Sequence, residues 1–480
     1  MSSEVKAMNR EGFVLGPISR REMLRQSSIG FGSLALAALL SEQPASEGAT
    51  TNPLAPRAPH FTPKAKRIIF LFMHGGPSQV DTFDYKPRLQ RNDGRPLPFA
   101  RPRVVSSQTG NLLKSPWQFR RHGQSGIYVS EVFPNIAKCV DDICMINSMH
   151  GSNSRHGGAL LELHTGSDTF VRPSMGSWIT YGLGTENQNL PGFITICPTL
   201  SHGGVNNWSS AFLPAVYQGT PVGNASIPAE RARIPYVQNH HTPGKIQRME
   251  LNLLNEINRE GLRETGPDSA LESRIASFEL AFRMQREAPG VQDISDETRE
   301  THRLYGLDEA VTRNFGRQCL MARRFAERGV RFVQVTHSYK WDQHGNLRRD
   351  LPRNAREVDK PIAALLSDLK RRGLLQDTLV LWGGEFGRTP TAQGRNGRDH
   401  NPQGFTMWMA GGGVKPGITY GATDEYGYYA TRDRVHFHDL HATLLHLLGL
   451  DHTRLTFRWA GRDFRLTDVH GEVVRDILNY

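Results

Sequence analysis

Cysteine is scarce in this chain of 480 residues. The four cysteines, Cys139, Cys144, Cys197 and Cys319, form no Cys-x-x-Cys pair. Their spacing fits no zinc ribbon, and four are too few for a disulfide framework in so long a chain. We therefore expect buried free thiols, since a Cys139–Cys144 bridge would need a specific geometry.

Blocks of lysine are also missing, and the basic residues are scattered, mostly as arginine. Lysine and arginine number 58 against 47 acidic residues, a net charge of +11. With 38% hydrophobic and 22% charged residues, the composition is that of a soluble globular protein. A positive balance suits anionic partners. The arginines indicate a solvated surface first, an anionic substrate second and nucleic acid a distant third. Because no basic helix or aromatic-interleaved basic patch is present, we expect no nucleic-acid partner.

The first 50 residues have the order of a twin-arginine export signal. Arg20 and Arg21 precede a mildly apolar stretch, Ser27–Leu40, and then a polar segment. The stretch is too short to span a bilayer comfortably. We predict export to the periplasm or beyond, with membrane contact only through this segment if it is uncleaved. The alternative is an amphipathic helix that carries two arginines.

A continuous apolar run, Arg67–Met73, follows a proline-rich linker at residues 51–64. Such a run is typical of a strand buried on both faces in a parallel sheet. Five further strand signals are Ile143–Ile146, Phe193–Ile196, Arg331–Val335, Thr378–Trp382 and Phe405–Met409. Helical patterns at Val358–Arg372 and Val435–Leu448 alternate with them. This order predicts an α/β fold with a doubly wound, mostly parallel sheet.

Two parts of the chain, residues 65–202 and 301–480, are expected to form this α/β domain. Residues 203–300 differ from both, because they are first rich in Gly, Asn and Pro and then helical and charged. We predict that they form an inserted cap or helical segment.

Carboxylates and imidazoles stand beside several predicted strand ends, where ligands of such sheets bind. These candidate metal ligands are Asp342, His344, Glu385, Asp399, His400 and His74. Their residue types suit a divalent metal such as zinc, calcium or manganese. The alternatives are a loop Asp bonded to its neighbour, a Glu385–Arg388 ion pair, and a polar turn at Asp399.

Polar residues after the first two strands could meet an anion. Ser78 and Asp81 follow Gly75-Gly76, where the backbone can approach a ligand closely. A predicted helix N-terminus, which attracts anions, carries Ser152, Asn153, Ser154, Arg155 and His156. We predict Ser78, Asp81 and Asn153 as substrate contacts. Ser152, Ser154, His156, Arg155 and Arg388 are the candidate catalytic residues, and ordinary turn and capping chemistry is the alternative.

Several segments together resemble the alkaline phosphatase/sulfatase superfamily. They are Val132–Ala137, Met145–Ser148, Leu163–Gly166, Asp359–Trp382 and Asp439–Leu450. More closely, the chain resembles a bacterial family of exported proteins of unknown function within that superfamily. The hallmarks are Gly75–Pro87, Trp341–His344, Glu385–Pro390 and Gly397–His400.

This resemblance implies a metal-dependent hydrolase of phosphate or sulfate esters, including sulfated or phosphorylated carbohydrates, with one or two ions. The chain departs from sulfatases where His74-Gly75 replaces two aspartates and Glu385-Phe386 replaces an Asp-His pair. His156 falls at or near the position of the cysteine nucleophile. One site of Asp342, His344 and His400 is therefore expected intact and a second around His74 and Glu385 remodelled. The alternative is a catalytically degenerate metal- or anion-binding protein on the same scaffold.

Overall fold

The structure is a computed structural model that describes residues 52–100, 109–239, 241–266 and 268–479. The predicted export signal lies outside the described residues. The described residues from Asn52 to Phe457 and from Asp463 to Asn479 form one compact unit. Every helix among the described residues is too short or too polar to cross a membrane.

The strands are numbered here in chain order. They are β1 (Arg67–Met73), β2 (Phe119–His122), β3 (Ile127–Ser130), β4 (Ile143–His150), β5 (Phe193–Ile196), β6 (Thr220–Val222), β7 (Phe332–His337), β8 (Thr378–Gly383), β9 (Gly387–Arg388), β10 (His400–Asn401), β11 (Phe405–Ala410), β12 (Ile418–Tyr420), β13 (Ala422–Thr423), β14 (Ala430–Arg432), β15 (Val435–His436), β16 (Phe457–Trp459) and β17 (Arg462–Phe464).

The α-helices follow the same convention. They are α1 (Gln79–Thr82), α2 (Pro87–Arg91), α3 (His156–Thr165), α4 (Met175–Leu183), α5 (Gly244–Thr265), α6 (Ser269–Gln292), α7 (Arg299–Leu304), α8 (Arg313–Glu327), α9 (Leu347–Arg371) and α10 (Phe437–Leu447). Short 3-10 helices lie at Ile136–Asp142, Gly204–Trp208, Ala215–Tyr217 and Arg475–Ile477.

Nine strands form the central sheet in the order β12-β4-β11-β8-β1-β7-β5-β6, with β15 beside β4. From β8 to β6 the neighbours are parallel. β11 is antiparallel to both β4 and β8. Every residue of β1 is buried, as its unbroken apolar run requires in mid-sheet. The predicted α/β class with a mostly parallel sheet is confirmed.

The predicted bounds of β1 and β5 agree with the structure, and the other predicted strands differ at their ends. Two helix predictions needed correction. The helix expected from Val358 begins earlier, at Leu347, because Leu347, Leu351 and Ala355 continue its buried face through a polar segment. The helix expected to open with the residues from Ser152 onwards begins only at His156, the first residue of α3.

Helices α5 to α8 occupy the stretch between β6 and β7, and the described residues there contain no strand. This stretch includes most of the segment predicted as an insert, whose boundaries remain a prediction. The four cysteines are buried free thiols, as expected.

Candidate metal centre

The topology explains why distant polar residues meet at one edge of the sheet. β1, β7 and β8 are parallel neighbours, so the segments after their carboxyl ends leave the same edge. His74, Asp342 and Glu385 stand in those segments. β11 runs the opposite way, which brings the preceding His400 to that edge as well. β4, antiparallel to β11, ends there and leads into α3 and His156.

Three imidazoles face one oxygen of Asp342. The distances from Asp342 Oδ1 are 2.9 Å to His344 Nε2, 3.2 Å to His400 Nε2 and 3.2 Å to His156 Nε2. These four residues form a group whose potential ligand atoms all lie within 4.8 Å of one another. Three nitrogens and one carboxylate are the donor set of a zinc-type site.

The opposite nitrogen of each ring faces a hydrogen-bond acceptor. His156 Nδ1 donates to Glu385 Oε1 at 2.6 Å, His400 Nδ1 to the carbonyl of Ser154 at 2.7 Å, and His344 Nδ1 to Gln393 Oε1 at 2.5 Å. A neutral imidazole carries one N–H, so each Nε2 then presents a lone pair. Three lone pairs beside a carboxylate oxygen repel unless a cation lies among them, so these residues fit a metal ion.

The same electrostatics appear in the pKa values of the group. Without an ion, the rings can instead carry protons on Nε2: burial opposes ionisation of Asp342, but hydrogen bonds from His156, His344 and His400 then outweigh it and hold the pKa of this carboxyl well below its usual range. Burial also lowers the pKa of His156, yet hydrogen bonds to Asp342 and Glu385 raise it to about 8. The surroundings therefore favour positive charge next to Asp342.

Two further side chains fix the Asp342 carboxylate. Tyr339 donates to Oδ2 at 2.5 Å, and Arg388 Nη2 lies 2.6 Å from Oδ1. Arg388 is fully buried, and it also donates to the carbonyls of Gly75, Gly76 and Arg398. Arg388 was predicted to contact an anionic substrate, but its position gives it a different task, which is to hold Asp342 and the loop after β1.

Glu385 lies behind His156 rather than among the imidazoles around Asp342. Its carboxylate accepts from His156 Nδ1 and from the amide of Gly75, at 3.0 Å and 3.2 Å for its two oxygens. Burial alone would raise the pKa of Glu385, but His156 and His74 lower it to about 2. Gly75 has φ +116°, and a Cβ there would meet Asp342 N at 2.4 Å. Glycine is therefore required for this close approach.

His74, Glu385 and His156 form a second group of potential ligands. His74 is fully buried, and neither ring nitrogen has a hydrogen-bond partner within the described residues. Burial lowers its pKa to about 4, so its ring is neutral at pH 7. His202, absent from the sequence prediction, stacks on His156 with ring centroids 4.9 Å apart. Its glycine-flanked position in the chain gave no signal of this contact.

Ser78 and Asp81, both predicted to contact substrate, do not reach this centre. Asp81 is buried and forms two contacts with buried Arg398, at 2.6 Å and 3.1 Å. Ser78 donates to Asp81 Oδ2 at 2.5 Å. Because both side chains take part in this internal ion pair, they are not placed to bind a substrate.

Asp399, predicted as a metal ligand, lies at the edge of the centre, with Oδ1 3.9 Å from His344 Nδ1.

The residues before α3 contact two different parts of the protein, His436 and the metal centre. Ser152 Oγ lies 3.1 Å from His436 Nε2, and the Ser152 amide donates to Glu162. Asn153 Oδ1 accepts from the amide of Arg155 at 2.9 Å, a local turn contact. The carbonyl of Ser154 reaches the metal centre through His400, and Arg155 is exposed one residue before His156. His156, predicted as a catalytic residue, thus contributes to the candidate metal ligands.

Comparisons with known proteins give a family and several solved structures. The lipoteichoic acid synthase LtaP from Listeria monocytogenes has a TM-score of 0.36 and 9% identity, covering 86% of this chain and 78% of that one. PsFucS1 sulfatase from Pseudoalteromonas sp. has a TM-score of 0.31 and 13% identity, and the match covers 89% of this chain and 72% of that one. Alkaline phosphatase from the Antarctic bacterium TAB5 has a TM-score of 0.33 and 9% identity, and the match covers 81% of this chain and 98% of that one. These scores are too low to transfer a site or an activity.

No curated protein matches this chain in sequence. A family model, described as "Protein of unknown function (DUF1501)", matches residues 65–478. That match covers nearly all of the α/β unit, including every residue of the candidate metal centre. The chain belongs to this family, and the description of the family assigns no activity.

Proposed function

We propose that this protein is an exported, metal-dependent hydrolase of phosphate or sulfate esters. One observation carries the proposal: three imidazole Nε2 atoms surround Asp342 Oδ1, and each ring is oriented from behind by an acceptor. Orientation of ligating histidines by such acceptors is the usual arrangement at metal sites. Export rests on the twin-arginine pattern of the sequence.

One transition-metal ion, held by Asp342, His156, His344 and His400, fits the group better than calcium. Calcium prefers six to eight oxygen ligands, whereas imidazole suits zinc. A bound ion of this kind supplies positive charge that polarises an ester oxygen. Glu385, Gln393 and the carbonyl of Ser154 keep the three rings directed at that position.

The protein's own residues divide the remaining work. Arg155 is exposed at the start of α3, next to His156, and is the predicted arginine that remains accessible to an anionic group. Phe386 stacks on His400 with ring centroids 4.4 Å apart and covers one side of the centre against water. The net charge of +11 favours the approach of an anionic ester.

Water supplies the attacking oxygen in this proposal. The residue that opens α3 is His156, and both of its ring nitrogens face carboxylates. Ser152 Oγ is engaged with His436. Among the described residues, no serine hydroxyl thus lies activated at the group, and the hydroxyl of Tyr339 is itself a donor to Asp342 Oδ2. This favours direct hydrolysis over a covalent intermediate.

The test is release of p-nitrophenol from p-nitrophenyl phosphate and p-nitrophenyl sulfate by the full chain loaded with zinc or manganese. We expect turnover that His344→Ala abolishes together with bound metal. His122→Ala, a half-exposed histidine in β2, is the matched control and should keep both. Full turnover by His344→Ala would contradict the proposal.

A second candidate is a metal-dependent anion-binding protein without turnover. It is favoured by the presence of His156, a ring held between two carboxylates, where a nucleophile is expected from the family resemblance. In this case the protein would bind one metal ion and lose it on His344→Ala. It would nevertheless leave a broad panel of phosphate and sulfate esters intact. The same assay therefore separates the two candidates.

A further inference from the structure

Two adjoining cavities lie in the stretch between β6 and β7 and contain no residue of the metal centre. The first has a volume of about 480 Å³ and the second about 380 Å³. Arg317 and Asp293 line both, so the two cavities are neighbours, and together they are called here the insert cleft. Each part falls within the usual size of a small-molecule site, about 300–1,000 Å³.

Two buried polar atoms at this cleft have no partner within the described residues. Gln292 is only 2% exposed, and its Oε1, a hydrogen-bond acceptor, is unpaired. Arg317 Nε, a donor, is buried and unpaired as well. Leaving such groups unsatisfied is costly, and native structures rarely do so without a reason. A ligand that completes both must offer a donor and an acceptor side by side.

Tyr236 stands at the first cavity with its side chain 99% exposed and with φ +56°. A bulky residue in the left-handed region is strained, and a fully exposed aromatic ring gains nothing from burial. Both features are unfavourable for the isolated chain. An exposed aromatic face beside a polar cleft is suited to packing against a flat ligand that has both apolar and polar edges.

The charges of the cleft are mixed rather than uniformly positive. Burial, and then the nearby Arg233, lower the pKa of Arg317, while Glu230 and Asp293 oppose that change. A phosphate or sulfate would meet these carboxylates, and sulfate has no hydrogen to donate to Gln292 Oε1. Neighbouring hydroxyl groups, by contrast, each donate and accept.

We propose that the insert cleft binds an oligosaccharide, with a sugar ring stacked on Tyr236 and adjacent hydroxyl groups bonded to Gln292 and Arg317. A pyranose ring presents an apolar face of C–H groups and a rim of hydroxyls, which matches this combination. The site is independent of the metal centre, since none of its lining residues belongs to either ligand group. It therefore does not depend on the proposed hydrolysis.

Isothermal titration calorimetry on the full chain tests this, with cellohexaose, mannohexaose, a chondroitin sulfate hexasaccharide and inorganic sulfate as probes. We expect at least one hexasaccharide to bind. Tyr236→Ala and Gln292→Leu should each weaken it at least tenfold, whereas His344→Ala should not. Phe170→Ala removes another exposed aromatic ring, 65% exposed, and should leave binding unchanged.

Three results would overturn the proposal. The first is that no hexasaccharide binds at 10 mM. The second is that inorganic sulfate binds as tightly as the best hexasaccharide, which would make the cleft an anion site. The third is that Tyr236→Ala and Gln292→Leu, shown by thermal melting to be folded, bind the hexasaccharide as the wild type does.

Discussion

His156 Nδ1 lies 2.6 Å from Glu385 Oε1, and this contact directs the other nitrogen of the ring toward Asp342. Glu385 also accepts from the amide of Gly75, so its carboxylate joins the loop after β1 to the start of α3. A single buried carboxylate thus sets the position of a histidine that approaches the centre from a different part of the chain. We infer that Glu385 orients a ligand.

Glu385→Gln should therefore weaken metal binding without abolishing it. The amide can still accept from His156 but carries no charge, and loss of such orienting contacts typically costs about 10–100-fold in affinity. Zinc titration against a competing chelator measures the change. Glu425→Gln, at an exposed ion pair with Arg88, is the control and should have no effect. A loss as complete as that of His344→Ala would instead make Glu385 a direct ligand.

The two groups of potential ligands share His156, and this leads to a prediction about stoichiometry. We expect one metal ion per chain, because both oxygens of Glu385 already accept hydrogen bonds. His74→Ala should retain that ion, and His156→Ala should lose it. Elemental analysis of the purified variants by mass spectrometry gives the count directly. Two ions in the wild type and one in His74→Ala would show that the second group also binds metal.

Much of this site could be predicted from the sequence, because continuous apolar runs indicate where the buried strands end. Asp342, His344 and His400 stand near strands whose unbroken apolar runs were visible, and parallel order places such ends together. The sequence does not indicate which side chains from other parts of the chain contact each of these residues. His202 follows the predicted strand Phe193–Ile196 but stands immediately before the segment predicted as an insert, and its contact with His156 exists only after the chain between β5 and β6 has folded.

The partners of the buried charged residues could not be predicted from the sequence either. Asp81 follows the glycines after β1, where a substrate contact was predicted, but its partner Arg398 is 317 residues away. Arg388 likewise donates its hydrogen bonds to backbone carbonyls and to Asp342. Residue type indicates that a charge needs a partner, but tertiary structure decides whether that partner is a substrate or the protein itself.

Asp81→Asn tests this internal role. Removal of one partner leaves Arg398 buried without compensation, and such changes typically cost about 3–5 kcal/mol in the free energy of unfolding. Urea unfolding measures that loss. A residue that bound substrate would instead change KM and leave stability nearly unaltered. Asp433→Asn, at an exposed contact with Arg432, should leave both quantities unchanged.

The proposed attack by water makes a prediction for the two serines. Ser152→Ala and Ser154→Ala should each keep more than a tenth of wild-type kcat, because Ser154 reaches the centre through its backbone carbonyl, which alanine retains. With ³²P-phosphate or ³⁵S-sulfate esters, acid quenching of a single turnover should leave the label in the released anion and none on the protein. Loss of turnover in Ser154→Ala, together with acid-stable label on the wild-type protein, would identify a covalent intermediate.

A last prediction concerns the loop that carries Asp342. Glu357 Oε2 lies 3.0 Å from His337 Nε2, and His337 Nδ1 accepts from Trp341 Nε1 at 2.9 Å, so this chain of contacts supports the residue next to Asp342. Burial opposes ionisation of Glu357, but His337 and Lys340 outweigh it and lower its pKa from 4.5 to about 2. A depressed carboxyl pKa stabilises the fold above the unfolded value, and that contribution is lost as pH falls through the folded value.

Glu357→Gln should therefore be less stable than the wild type by about 2 kcal/mol at pH 7, since each pKa unit corresponds to about 1.4 kcal/mol and solvent at the exposed Lys340 screens part of the interaction. The difference should begin to shrink below pH 4.5 and fall to less than half near pH 3. Urea unfolding of both proteins at pH 7, 5, 4 and 3 gives the curve. A difference that stays constant over this range would mean that the charge of Glu357 does not stabilise the loop, and that only its size and hydrogen bonding do.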